Sequence, residues 1–376
     1  MKILLVMDQF DDANNGTTIS ARRFAQVLKK HDNEVRVIGI GHGGKDRYIV
    51  EEYKLPIFDK LVKSQGMAFG RANETVLRKA IAWADVVHFL MPFALSIKGQ
   101  EIAKELGVAH TAAFHVQPEN ITYSIGLGKL DFVNRAIYKG FRDVFYNRFT
   151  HIHCPSYFIA NELKKNGYRA KLHVISNGIE ESFVYRKLEK PNELKHKFVI
   201  LMVGRLSNEK RQDVLIDAIA RCKYAEYIQL ILAGQGPKRK SIIKYGQKLK
   251  NRPIIGFYSK EKLQEIIAMS DLYVHAADVE IEAIACIEAF SSGLVPVIAN
   301  SEKSATPQFA MDERSLFKAG DSAELSEKIE YWIEHKEERK EMEKAYSEYG
   351  KQFNIEQCVF KIEKMFEQAV SENETR

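Results

Sequence analysis

Three carboxylates stand in an otherwise apolar run, "HAADVEIEAIACIEAFSSGLVPVIAN" at residues 275–300: Glu280, Glu282 and Glu288. Placed among Ala, Ile and Cys, such groups carry a desolvation cost unless they are paired or used. If "ADVE" is the loop after a strand "LYVHAA", the spacing predicts a helix from about Ala283 onward. Its core stripe is then Ala283, Cys286, Ile287, Phe290 and Leu294, with Glu288 at the stripe's edge in the second turn. Glu280 precedes the helix, where backbone N–H groups have no intrahelical acceptor. A ligand resting on that helix end could be held by Glu280 at one end and Glu288 at the other. The plainer alternative is that acidic residues simply favour a helix's first turn and that Glu288 faces solvent.

A second constellation is "VGRLSNEK", which puts Arg205 and Lys210 just after an apolar run. A planar guanidinium and a compact ammonium together suit a diphosphate. A helix beginning near Arg211 would add its N-terminal dipole. The same residues also fit an ordinary charged surface turn. Gly234 and Gly236 in "LAGQGP" permit close backbone approach, although a lone G-x-G specifies little. No D-x-D pair is present to hold a metal on a diphosphate, Asp278-Val279-Glu280 being the nearest thing, so metal-independent chemistry is expected. No side chain is an evident covalent nucleophile, and two carboxylates alone do not make a glycosidase.

The elements that must position these groups alternate almost without a break. "KILLVMD", "EVRVIGI", "ADVVHFL", "AHTAAFHV", "HIHCPS" and "KLHVISNG" read as buried strands with helical patterns between most of them. After an irregular charged stretch at 185–197, the best linker candidate, the pattern restarts with "FVILMVGRL", "IQLILAG", "PIIGF", "LYVHAA" and "VPVIAN". This predicts an α/β protein of two doubly wound units, at 1–187 and 197–352, with a closing helix at 353–376. Open parallel sheets bind ligands at the carboxyl ends of their strands, and both constellations fall there.

Composition agrees. The chain has 376 residues, enough for two domains, with 45% hydrophobic and 28% charged residues, so it is neither disordered nor fibrous. Its four cysteines, Cys154, Cys222, Cys286 and Cys358, form no C-x-x-C pair, which argues against a zinc ribbon or disulfide framework and fits a reducing cytoplasm. No apolar stretch reaches the ~20 residues that span a bilayer, and "MKILLVMD" reads as a strand and not a signal peptide. The net charge of +6 is uneven: residues 1–190 carry 28 Lys+Arg against 20 Asp+Glu, and 191–376 carry 28 against 30. A basic first half fits phosphates or anionic lipid as well as a solvated surface. Nucleic acid is not expected, because the charge is diffuse and no helix-turn-helix or RNA-binding motif appears.

With Glu280-x7-Glu288, "GRLSNEK" upstream and "VISNGIE" closing the first unit, nearly the whole chain resembles glycosyltransferase family 4, the retaining enzymes of GT-B fold. The resemblance implies a nucleotide-sugar donor, UDP-glucose, between two Rossmann-like domains, with no further cofactor and no metal. It implies that Glu288 binds the ribose hydroxyls, that Glu280 contacts the transferred sugar, and that Arg205 and Lys210 neutralise the diphosphate. Backbone amides around Ala283 and Ile284 would meet sugar and phosphates, and Phe257 and Tyr258 would border the base. In the first unit, Gly16 of "NNGTT" and His115 of "AFHVQPEN" match positions that close over donor and sugar, although His115 alone reads equally as a satisfied strand-end histidine. The closing helix would cross back onto the first domain. Three departures stand out: Glu282 and Ala283 occupy a loop where the family often has glycine, Arg211 replaces the usual glycine after the lysine, and the first loop has one glycine where a pair is common. Front-face attack by the acceptor hydroxyl, assisted by the leaving phosphate oxygen, is the implied chemistry.

The acceptor is less determined. Residues 128–149 carry Tyr138, Phe141, Phe145 and Phe149 at helical spacing, interleaved with Lys129, Arg135, Lys139, Arg142 and Arg148. This is either a core stripe with snorkelling cations or an interfacial helix on an anionic leaflet. A second basic and apolar stretch lies at 53–71. Within the family, "AFHVQPENITY", "HIHCPS" and "YVHAADVEIEAIACIEA" look most similar to bacterial transferases that glucosylate sterols or related lipids such as diacylglycerol. The expectation is a cytoplasmic enzyme peripheral on the inner face of the plasma membrane. A soluble sugar or lipid-linked oligosaccharide acceptor and a non-catalytic nucleotide-sugar binder are the alternatives.

Overall fold

The computed structural model describes residues 1–11, 16–54, 67–128 and 130–375. Two compact units form: Met1–Gly178 with Ile355–Arg376, and Ile179–Asn354. In the first unit the strands are β1 (Lys2–Gln9), β2 (Glu34–Ile40), β3 (Arg47–Ile49), β4 (Glu52–Tyr53), β5 (Phe69–Gly70), β6 (Val86–Phe89), β7 (Ala109–Ala113), β8 (His151–Cys154) and β9 (Lys171–Val174). Seven of them make a parallel sheet in the order β3-β2-β1-β6-β7-β8-β9, while β4 and β5 pair antiparallel apart from it. The chain winds outward from β1 to β3 on one side and restarts at β6 on the other, so the topological switch point lies between β1 and β6. Strands covered on both faces need no alternation. Ile3 to Met7 are all buried, as the uninterrupted "ILLVM" requires.

The second unit repeats the plan with β10 (Phe198–Val203), β11 (Ile228–Ala233), β12 (Ile254–Gly256), β13 (Leu272–His275), β14 (Pro296–Asn300) and β15 (Leu316–Lys318). The order β12-β11-β10-β13-β14-β15 puts its switch point between β10 and β13, the strands ahead of the two predicted constellations.

The units divide after Gly178, ahead of the expected boundary at 187, and the stretch 185–197 belongs to the second unit. Phe183 and Leu194 are buried in that unit's core and the Leu188 N–H donates to the Ala268 carbonyl at 3.0 Å. Two of the four lysines that make the stretch look like a linker are paired, Lys187 with Glu343 at 2.9 Å and Lys190 with Asp271. The closing helix runs Ile355–Glu374 and packs into the first unit through Cys358, Val359, Ile362, Met365 and Phe366. His31 ties it down, its ring 2.8 Å from Glu363 and 2.9 Å from Glu356.

The helix Asp131–Val144 resolves the 128–149 question in two parts. Tyr138, Phe145 and Phe149 are core residues, with Tyr138 stacked on Phe114 at 5.9 Å, so the aromatic stripe packs inward. Ahead of that stripe Ile125, Leu127, Leu130 and Phe132 remain exposed, Phe132 at 70%. Lys129 and most of the 53–71 stretch lie outside the described residues. No described helix is long and apolar enough to cross a membrane.

Candidate active site

Both second-unit constellations leave adjacent strands at the switch point. The loop after β10 carries Arg205 and Lys210, and the loop after β13 carries Asp278 to Ala283. Three links join the loops. The Lys210 ammonium pairs with the Glu280 carboxylate, the Asp278 N–H donates to the Glu209 carbonyl at 2.8 Å, and Arg211 Nη1 reaches Asp278 at 3.1 Å. Glu280 is also fixed through its backbone, which accepts from the Ala305 N–H at 2.9 Å. The predicted Arg205, Lys210 and Glu280 are thus gathered at one end of one sheet.

A residue the sequence reading missed completes the cluster. His275, the last residue of β13, places Nε2 3.0 Å from the Glu280 oxygen that Lys210 engages, and its Nδ1 lies 3.2 Å from the Tyr273 hydroxyl. Its signal was its place, at the carboxyl end of a buried strand. Burial alone would raise the Glu280 carboxyl, but the Lys210 charge and the His275 contact outweigh it and hold it at about 2. Glu280 is therefore a carboxylate at neutral pH. Burial of the Arg205 guanidinium lowers its pKa, opposed by the nearby Glu209 charge.

The helix runs Ile284–Ser291 and begins at Ala283, which has φ +66° and offers no side-chain cap. Its first N–H groups point from a bare helix end, the arrangement that receives anions. Cys286, Ile287, Phe290 and Leu294 are buried as predicted. Glu288 does not face solvent: it is 7% exposed, and Glu282, to which no role was given, only 3%. Arg211, which starts the helix Gln212–Arg221, also has positive φ, +54°. Two of the positions where this chain departs from the family's usual glycine, Arg211 and Ala283, are thus left-handed, a conformation that costs an L-residue roughly 1–2 kcal/mol.

Gly234 and Gly236 serve the fold. A Cβ on Gly234 would lie 1.9 Å from the Gly204 carbonyl oxygen, and one on Gly236 2.5 Å from that of Leu206. Their close approach is to the loop that carries Arg205. Tyr258 folds its ring back over Gly256, whose added Cβ would meet it at 2.5 Å, while Phe257 beside it is exposed. Of the two aromatics named for the base, Phe257 presents the open face.

The first-unit candidates lie at the carboxyl end of the other sheet. Gly16 opens the helix Gly16–Lys30 and is exposed, and a Cβ on it would meet no described atom within 4 Å beyond its chain neighbours and its own helix backbone. His115 follows β7, buried, with its ring 5.4 Å from that of His153. Burial, and then His153, push its pKa down to about 3, so it is a neutral imidazole whose buried Nε2 has no hydrogen-bond partner among the described residues. It can orient a polar group but carries no charge.

Residues 14–183 match the family model described as Glycosyltransferase Family 4, and residues 185–352 the one described as Glycosyl transferases group 1. The chain belongs to glycosyltransferase family 4. This glycosyltransferase is 25% identical over 321 residues to the alpha-monoglucosyldiacylglycerol synthase of Streptococcus pneumoniae, covering 80% of this chain and 71% of that one. The catalytic domain of a cholesterol-alpha-glucosyltransferase from Helicobacter pylori is 52% identical, over 42% of this chain and 99% of that domain, with a TM-score of 0.41. The Anabaena HepE structure in complex with UDP and glucose, at 17% identity and a TM-score of 0.74 over 98% of this chain and 99% of that one, shares the GT-B fold.

Proposed function

We propose that this glycosyltransferase moves glucose from UDP-glucose to an alcohol of a membrane lipid, with retention at the anomeric carbon and without a metal ion. One observation carries the donor half of this reading. The cations Arg205 and Lys210, the uncapped helix end at Ala283 and Ile284, and the buried Glu288 all belong to loops and a helix that follow β10 and β13. Cations and free N–H groups suit a diphosphate, and a buried carboxylate suits a ribose diol. Breaking the sugar–phosphate bond leaves negative charge on the departing diphosphate, which Arg205, Lys210 and the helix end would stabilise. The acceptor hydroxyl then attacks from the same face and its proton passes to the leaving phosphate oxygen. Glu280, ionised, would hold the sugar near the reacting carbon. His115, uncharged, would act as a hydrogen-bonding group and not as an acid.

The lipid acceptor is supported by the names of the Streptococcus pneumoniae and Helicobacter pylori relatives. It is also supported by the exposed Ile125, Leu127, Leu130 and Phe132, followed by the exposed Arg135 and Lys139, a mixture suited to an anionic membrane surface. The test is release of UDP from UDP-glucose with EDTA present, in buffer and with anionic liposomes containing diacylglycerol or cholesterol. Release that rises with lipid, together with a new α-glucolipid, is expected. Turnover on soluble sugars or lipid-linked oligosaccharides alone would move the acceptor. Unchanged UDP affinity in both Glu288→Ala and Arg205→Ala would overturn the donor site.

A further inference from the structure

At the switch point of the first sheet the strand β1 is irregular. Val6 pairs with Ile38 and Gln9 with Ile40, so three steps along β1 match two along β2, a bulge that falls at Met7 and Asp8. Gly39 of β2 accommodates it, since a Cβ there would lie 2.2 Å from the Met7 carbonyl oxygen. Bulges re-aim side chains and recur beside ligand sites. The side chain presented here is a carboxylic acid at the carboxyl end of β1, beside the switch point.

Asp8 is 3% exposed, and its Oδ1 accepts the Gly70 N–H at 2.9 Å. Its Oδ2 is buried and has no hydrogen-bond partner among the described residues. Gly70 brings an apolar wall: a Cβ on it would stand 3.0 Å from Val50 and 3.1 Å from Leu95. Anchoring one N–H requires one acceptor, which Asn would supply without the desolvation of an acid. Among the described residues the second oxygen holds nothing in the fold. Burial lifts this carboxyl to about 7, against the Gly70 N–H, so a single added donor would shift it toward its ionised form. One spare acceptor beside apolar side chains suits an alcohol on an apolar body better than a cation, which needs several oxygens.

We infer that Asp8 is the residue of the first unit that receives the hydrogen bond of the acceptor's alcohol hydroxyl. This deepens the lipid-alcohol reading above and rests on it. Asp8 binds and orients the hydroxyl; it takes no proton in the transfer.

The decisive variant is Asp8→Asn, which keeps an oxygen for Gly70 and replaces the spare acceptor by an amide NH2. Full-length protein is titrated with dioctanoylglycerol or cholesterol in detergent micelles, read by thermal shift, and acceptor and donor kinetics are then compared. The expected result is an acceptor affinity and KM weakened about 10-fold or more, with UDP affinity and donor KM unchanged. Asp8→Ala, which also frees Gly70, should lower thermal stability where Asp8→Asn does not. Equal alcohol binding by wild type and Asp8→Asn overturns the inference, as does wild type that binds neither alcohol. Alcohol binding that Asp8→Asn weakens, with no transfer by wild type from UDP-glucose, sustains Asp8 and overturns the donor reading instead.

Discussion

Removing the Lys210 charge should leave a signature that depends on pH in a defined direction. The Glu280 carboxyl sits at about 2 against an ordinary 4.5, a depression that favours the ionised form by about 3 kcal/mol. Because the folded value lies below the unfolded one, this contribution is present in full above pH 4.5 and is lost as pH falls toward 2. Lys210→Met keeps the apolar stem and deletes the ammonium. Glu280, with a side chain only 12% exposed, then keeps His275 alone, and burial dominates. The second unit should lose about 3–5 kcal/mol near neutral pH, and the gap to wild type should narrow as acid protonates Glu280, first in the variant and then, below 4.5, in wild type. Adding Glu280→Gln to Lys210→Met should recover most of the loss, because the uncompensated buried charge is gone.

The assay is urea unfolding followed by the fluorescence of Trp332, buried in the second core, in a Trp83→Phe background that silences the first unit. A Lys210→Met deficit that stays constant with pH, or a double variant no more stable than the single one, would refute the reasoning.

Other expectations follow from the same geometry. Ala283→Gly removes a left-handed alanine and should stabilise the second unit by about 0.5–1 kcal/mol, after allowing for glycine's greater freedom when unfolded; urea midpoints measure it. Gly234→Ala drives a methyl against the Gly204 carbonyl and should cost roughly 2–3 kcal/mol in the same assay. His31 is raised first by Glu363, against burial, and further by Glu356. Its contribution to holding the closing helix should be full below its ordinary 6.5 and should fade as pH rises through the raised folded value. His31→Gln should therefore lie below wild type in stability at about pH 6 and converge on it toward about pH 9.

The strands that a sequence can show are those whose burial is continuous. "KILLVMD" and "IQLILAG" became β1 and β11, whereas the three-residue β15, "LFK", has no run long enough to read. Side-chain partnerships depend on which strands become neighbours. Lys210 and Glu280 are 70 residues apart and meet because β10 and β13 pair at the switch point. Once two parallel strands were known to end there, the sequence could say that charges gather at their carboxyl ends. It could not say that the lysine expected at a diphosphate is paired with the glutamate expected at a sugar. Arg211 and Ala283 show the converse problem. Residue type signals a left-handed position only when it is glycine, so both were visible solely as departures from a family pattern, and backbone geometry turns each departure into a conformational cost. Asp8 gave no signal at all, because an acid closing an apolar strand reads as the strand's polar end. Its burial comes from the bulge against β2 and from Gly70 contributed by β5, both products of tertiary assembly. The glutamates that first drew notice and the aspartate that did not thus share a physical situation: each ends or follows a strand at a switch point, where packing buries a charge that local sequence would leave in water.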